Sequence, residues 1–244
     1  IFFQEFIKMK KTLLLILLLP MILFSLNCRP QVDVRQAQYL VGYGSLMNSA
    51  SQRRTSSFLG QETPVWVFGF KRGFYFNPSY RGSNSSFVSL STTFLAIVRD
   101  SIAKLNAIAI KLTKPSAIYA FDRRESSYCR VDVGSSIKAY NSQSLPKGQY
   151  WIYVGTKKHF PSKKYPIVQS YVDLFLSGCL RIEQQNKLPG FAAECVRTTS
   201  GWSSFWVNDR IYPRRPFIYQ PKAFQIDRLL KKEVPLHYSQ IRIE

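Results

Sequence analysis

One carboxylate, Glu125, closes the segment Phe121-Asp122-Arg123-Arg124-Glu125, well downstream of a glycine turn, Tyr43-Gly44-Ser45-Leu46, that follows a strand-like run. On its own residues Glu125 has two uses. It is either a solvated member of a charged cluster, paired with Arg123 or Arg124, or a proton carrier at a helix end facing an aromatic-lined cavity, where desolvation raises its proton affinity. The turn also reads two ways: as a tight turn capped by Ser45, or as successive backbone N–H groups forming an anion-binding nest. The string GYGSLM does not fit G-x-S-x-G, so Ser45 is not a serine-hydrolase nucleophile. His159 and His237 stand far apart and the four cysteines form no C-x-x-C pair, which argues against a zinc site, and no metal ligands are assigned. Chemistry here would rest on carboxylates, hydroxyls or backbone. Tyr153, in the aromatic run QYWIYV, reads as core packing with its hydroxyl at the rim. Tyr165 ends P-S-x-x-Y, whose Pro161 and Ser162 suit a turn, and His159 reads as a surface residue. Asp122, Arg123 and Arg124 read as surface or strut residues, and Arg130 and Asp132 as structural.

The elements that must position these groups are strands in the first half. Residues 39–43, 64–70, 71–76, 87–98 and 105–112 alternate or are rich in β-branched and aromatic side chains, and 128–133 and 149–155 return to that pattern. Residues 80–87 read as a surface loop from their Gly, Ser and Asn content. Pro115 suits the first turn of a short helix over 114–125, and apolar pairs at three-to-four spacing make 166–180 an amphipathic helix. The tail from Trp202 is rich in Pro and Arg, with a short helix around Leu229 and Leu230.

Before that body comes a leader. Met9-Lys10-Lys11 and the apolar run Thr12–Leu26 have the basic and apolar regions of a secretory signal, with residues 1–8 as an upstream extension. The run is broken by Pro20 and is short for a membrane span, which favours cleavage. It stops at FSLNC, which places Cys28 as in bacterial lipoproteins whose cysteine is diacylated, by a relaxed form of their signal. The expectation is an extracytoplasmic, membrane-anchored lipoprotein, periplasmic or at the cell surface, lipidated at Cys28. Removing residues 1–27 leaves 31 basic and 13 acidic residues, a charge of +18, so the leader does not explain the +20 of the whole chain. Nucleic-acid binding would rest on charge and aromatics alone, and no recognition motif supports it. An anionic envelope surface suits the late basic segments better. With 45% hydrophobic and 15% aromatic residues the chain folds rather than staying disordered. Cys129, Cys179 and Cys195 allow one disulfide among them; Cys179–Cys195 is the expected pair because Cys129 lies in a strand-like run, though no spacing rule decides it.

Three segments together resemble one family. YLVGYGSLM (39–47), FDRRESSY (121–128), and QYWIYV (149–154) with PSKKY (161–165) resemble the γ-glutamylcyclotransferase superfamily in order and approximate spacing, as do GFKRGF (69–74) and LNAIAIKL (105–112). The resemblance runs from Gln38 to Pro189. It implies an α+β fold, a small mixed β-barrel with flanking helices, here followed by a C-terminal extension. The leader and the basic tail lie outside the resemblance, and the chain is expected to divide into a leader (1–27), a linker (28–37), the domain (38–200) and a basic extension (201–244) packed on it. The resemblance implies that Tyr43, Gly44, Ser45 and Leu46 hold the α-carboxylate and γ-carbonyl of a γ-glutamyl group, that Tyr153 and Tyr165 point hydroxyls into the cavity, and that Glu125 is the acid/base residue. The implied reaction closes a small γ-glutamyl substrate to 5-oxoproline and releases the amine, with no metal or organic cofactor. The rival expectation keeps the fold without the chemistry: a surface lipoprotein that binds a small ligand or an anionic envelope component.

Overall fold

The alternating runs of the first half fold into long strands, two of which each fuse two of the expected segments. The structure, a computed structural model, describes residues 28–77, 91–214 and 222–243. The expected leader and the loop at 80–87 lie outside the described residues. β1 (Gln38–Gly42), β2 (Leu59–Phe76), β3 (Phe94–Leu112), β4 (Cys129–Asp132), β5 (Ile137–Ala139) and β6 (Gln149–Val154) lie in the order β4-β6-β1-β3-β2-β5. β1 is antiparallel to β3 and parallel to β6, and β2 is antiparallel to β3 and β5. β7 (Ile167–Val168) belongs to a second sheet, while β8 (Thr199–Ser200) pairs with β2.

Both faces of the main sheet are buried, with the period of two that strands impose. Tyr39 and Val41 of β1 and Tyr150, Ile152 and Val154 of β6 enter one cluster, and Leu40, Trp151 and Tyr153 the other. The first cluster draws its buried residues from strands and their adjoining turns, so the sheet buries it by curling onto itself. A register shift between Phe68 and Phe70 supports the bend, and Gly69 there takes a φ of 79°, open to glycine without strain. The edge strands β4 and β5 do not pair with each other among the described residues, so the α+β fold expected is present and its small mixed β-barrel takes the form of a curled half-barrel. Helices cover the other face: α1 (Ser49–Arg53) lies beside the 43–47 turn, followed by α2 (Ile118–Arg124), α3 (Gln169–Gln185) and α4 (Phe191–Arg197). α3 inserts Tyr171, Val172, Phe175, Leu176, Cys179 and Ile182, the three-to-four stripe its sequence carries.

The C-terminal residues share this core. β9 (Trp206–Asn208) lies between β7 and β10 (Arg242–Ile243), parallel to both. Trp206 and the inner face of α5 (Ala223–Glu233), Ile226 and Leu230, sit in the helix-side cluster, and α6 (Pro235–Tyr238) follows. The segment expected as a linker is strapped down as well: Val32 is buried, and Arg130 donates to the carbonyl of Pro30 at 2.6 Å.

The cysteines depart from expectation. Cys28 is bonded to Cys129, 101 residues away, while Cys179 and Cys195 are free, buried thiols. A strand position does not bar Cys129, because the strap over residues 28–33 brings Cys28 alongside β4. The Cys28 sulfur is engaged in this bond, whereas the expected lipidation would use the same sulfur in a thioether. Among the described residues no helix is long and apolar enough to cross a membrane.

Candidate functional site

The chain leaves β1 at Gly42 and turns sharply through Tyr43 to Asn48, with a 3-10 turn at Ser45–Met47. Asn48 caps α1, its side chain accepting from the N–H of Ser51 at 3.1 Å. α3 presses on this turn from behind. A Cβ at Gly178 would lie 2.5 Å from the carbonyl carbon and oxygen of Met47, so glycine alone lets helix and turn meet at this distance. Among the described residues, no hydrogen bond takes up the N–H of Gly44 or Ser45.

Facing the turn is the end of α2. Glu125 is its C-cap, its N–H donating to the carbonyl of Phe121 at 2.8 Å. Its side chain is 17% exposed and accepts an ion pair from Arg124 Nε at 2.9 Å. Arg124 is far more than a surface residue. Its Nη1 donates to Ser51 O and Thr55 Oγ1, both at 2.8 Å, and its Nη2 to Ser45 Oγ at 2.9 Å and Ser51 Oγ at 3.0 Å. One rigid fork therefore ties Glu125, the glycine turn and α1 together.

Glu125 and the turn line a single cavity of about 810 Å³, together with Tyr153, Tyr128 and Tyr171. Leu46 is buried on its wall. Both tyrosines named from sequence that reach it have committed hydroxyls. Tyr43 donates to the carbonyl of Tyr153 at 2.8 Å, and Tyr153 donates to Asp122 Oδ1 at 2.8 Å. Burial, followed by the charge of Glu125, pushes the Tyr43 phenol well above its usual range. Burial, followed by the charge of Asp122, does the same to Tyr153. Asp122 is held in turn by Arg130, a buried cation that stacks on Trp151. These two hydroxyls and the Asp122–Arg130 pair act as struts of the cavity wall.

Tyr165 does not join them. It is absent from the cavity wall; its N–H donates to Ser162 Oγ at 3.2 Å and its carbonyl accepts from Thr93 Oγ1 at 2.6 Å, so P-S-x-x-Y is a turn. The role expected of Tyr165 is corrected accordingly. A tyrosine does line the cavity from the helix side: Tyr171 of α3, whose oxygen accepts from the N–H of Leu95 at 3.2 Å. Residue pattern gave no sign of this, because Tyr171 fits the apolar stripe of α3. His159, read as a surface residue, is exposed at the cavity rim with Arg54 and Lys157. Among the described residues no group of His, Cys, Asp and Glu could hold a metal ion.

No family model matches the chain, and no curated protein matches it. Among solved structures it is similar to a γ-glutamyl cyclotransferase at 14% identity and a TM-score of 0.49, over 66% of this chain and 86% of that one. It is similar also to an uncharacterized protein from Homo sapiens at 14% identity and a TM-score of 0.48, with the same coverage. A γ-glutamyl cyclotransferase specific to glutathione from yeast is similar at 11% identity and a TM-score of 0.38, over 63% of this chain and 89% of that one.

Proposed function

We propose that this protein is a γ-glutamylcyclotransferase-like enzyme that closes the γ-glutamyl group of a small peptide or amine to 5-oxoproline and releases the amine. The observation that carries the reading is convergence: Glu125 and the Tyr43–Leu46 turn, distant in sequence, line one cavity and are linked by Arg124. The turn's N–H groups hold the substrate's α-carboxylate and stabilise the oxyanion that builds on its γ-carbonyl. The basic rim of Arg54, Lys157 and His159 favours an anionic substrate.

In the reaction, Glu125 takes a proton from the α-ammonium, and the freed amine attacks the γ-carbonyl carbon of the same molecule. A C–N bond forms, the ring closes, and the bond to the leaving nitrogen breaks as Glu125 returns the proton to it. Folding an extended substrate into this geometry contributes through proximity. The leader at residues 9–27 and the Cys28–Cys129 bond support export to an oxidising compartment. A second reading, a ligand-binding pocket without turnover, is favoured by the commitment of the Tyr43 and Tyr153 hydroxyls and of Glu125 to protein partners. Release of 5-oxoproline from γ-glutamyl dipeptides by residues 28–244 decides between them. Turnover that disappears in Glu125→Gln supports the enzyme; a folded wild type that binds these peptides and never releases 5-oxoproline supports the pocket.

A further inference from the structure

Arg72, in β2, is fully buried, and no carboxylate pairs with it among the described residues. A guanidinium keeps its charge in any environment, so such burial is stable only where oxygens take its N–H groups. Six contacts do so. Nε donates to Thr199 Oγ1 at 2.8 Å; Nη2 donates to Cys195 O at 2.8 Å, Thr198 Oγ1 at 2.6 Å and Asn106 Oδ1 at 3.0 Å. Nη1 donates to Asn106 O at 2.9 Å and to Tyr43 O at 3.1 Å. Five of these bonds join β2 to β3, to Thr199 of β8 and to the C-terminal end of α4, whose carbonyls favour a cation.

The sixth has another consequence. The carbonyl of Tyr43 belongs to the peptide unit whose N–H is that of Gly44, a donor of the turn that lines the cavity. A cationic donor on the carbonyl polarises the amide and strengthens its N–H as a donor. Tyr43 is also fixed at its far end, where its hydroxyl donates to the Tyr153 carbonyl. The peptide is thus clamped, with a full positive charge behind it and no carboxylate against that charge. Arg124 does not duplicate this, because its charge faces Glu125.

We propose that Arg72 is a positioning residue for anion binding in the cavity: it orients the Tyr43–Gly44 peptide and makes the Gly44 N–H a stronger donor to an anionic oxygen. The proposal rests on the reading of the 43–46 turn as the holder of the substrate's carboxylate. The test uses the chain from residue 28, with L-5-oxoproline as the probe, followed at the Gly44 amide by NMR and paired with a melting curve. In the wild type the probe shifts the Gly44 proton downfield more than any other amide of the cavity wall. Arg72→Gln, which removes the charge, binds at least tenfold more weakly and raises KM more than it lowers kcat. Arg72→Lys, which keeps the charge and loses the fork, falls between. No shift at Gly44, or equal binding by wild type and a folded Arg72→Gln, overturns the proposal. If Arg72→Gln does not fold, Arg72→Lys and the wild-type shift pattern decide the question in the same way. Loss of affinity in the variants without any 5-oxoproline release from the wild type removes the proposed reaction and leaves this inference standing. Normal release with Arg72 variants changed in melting temperature alone does the reverse.

Discussion

Two corners of the molecule are built from the same parts and do different things. Beside the cavity, Arg124 and Arg130 hold Glu125 and Asp122, with Tyr153 bonded to Asp122. Near the C-terminus, Arg210 holds Asp173 and Asp227 with pairs of hydrogen bonds at 2.7 and 2.8 Å and at 2.8 and 2.8 Å, and Asp209 accepts from the N–H and hydroxyl of Ser170. There the Asp173 side chain is 0% exposed, and the two carboxylates outnumber the cation. Burial works against the Arg210 charge, yet its bonds to Asp173 and Asp227 outweigh that and hold its proton more tightly than usual. None of these groups lines the cavity. Ion pairing alone therefore does not mark chemistry; what separates Glu125 is that its pair opens onto a space a substrate can occupy, beside backbone donors.

The largest difference between the corners is expected in turnover. Glu125→Gln removes the proposed proton carrier and is expected to lower kcat by about 10²- to 10⁴-fold, the range for a lost general acid–base group, with the melting temperature nearly unchanged. Arg210→Met is the mirror image. It strands the buried Asp173 carboxylate and costs about 3–5 kcal/mol of stability, the penalty for breaking a buried pair on one side. The molecules that remain folded keep wild-type kcat and KM. Urea titrations alongside 5-oxoproline assays check both, and a drop in kcat for folded Arg210→Met would erase the contrast.

The sequence makes one corner partly legible and hides the other, for physical reasons. Glu125 and the glycine turn are visible because each is a local pattern with its own backbone consequence. Arg124 is not, since an arginine at a helix end reads as solvated and its partner Ser45 lies 79 residues away. Arg210, Asp173 and Asp227 meet only through tertiary packing, so no spacing announces them. The same distance hides Cys28–Cys129 behind an expected Cys179–Cys195 pair. Residues 64–70 and 71–76 read as two strands, yet the left-handed backbone of Gly69 carries β2 through a bulge as one. Tyr165 shows the opposite error: a local motif assigned a distant role, which folds as the turn that its Pro and Ser dictate.

A smaller effect probes how the cavity corner is held. Gly178→Ala places a methyl group against the Met47 carbonyl and forces α3 and the turn apart. Overpacking of this kind costs about 1–3 kcal/mol. Because the displaced element carries the candidate donors, KM should rise more than the stability loss implies. An alanine substitution on the exposed side of α5, such as Lys232→Ala, gives the baseline: neither stability nor KM moves.

The smallest effect concerns the tyrosines of the two corners at high pH. Burial, first, and nearby carboxylates, second, raise the phenols of Tyr153 beside the cavity and Tyr238 beside Asp227. Burial pushes Tyr150 up to about 12. Each group keeps its proton longer in the folded state than in the unfolded chain, where a tyrosine titrates near pH ~10. The folded state then binds more protons above that pH, so the contribution is whole below about pH 10 and is lost as pH rises through the folded value, by about 1.4 kcal/mol per unit for each such group. Tyr153→Phe should therefore be less stable than wild type by about 1 kcal/mol at neutral pH, from the lost bond to Asp122. Above pH ~10 its stability should fall less steeply. Tyr238 is less deeply enclosed than Tyr153, so Tyr238→Phe should change the alkaline slope less. Equal slopes for wild type and both variants would mean that the cavity wall is wetter than its packing implies, and the two corners would then differ in charge balance alone.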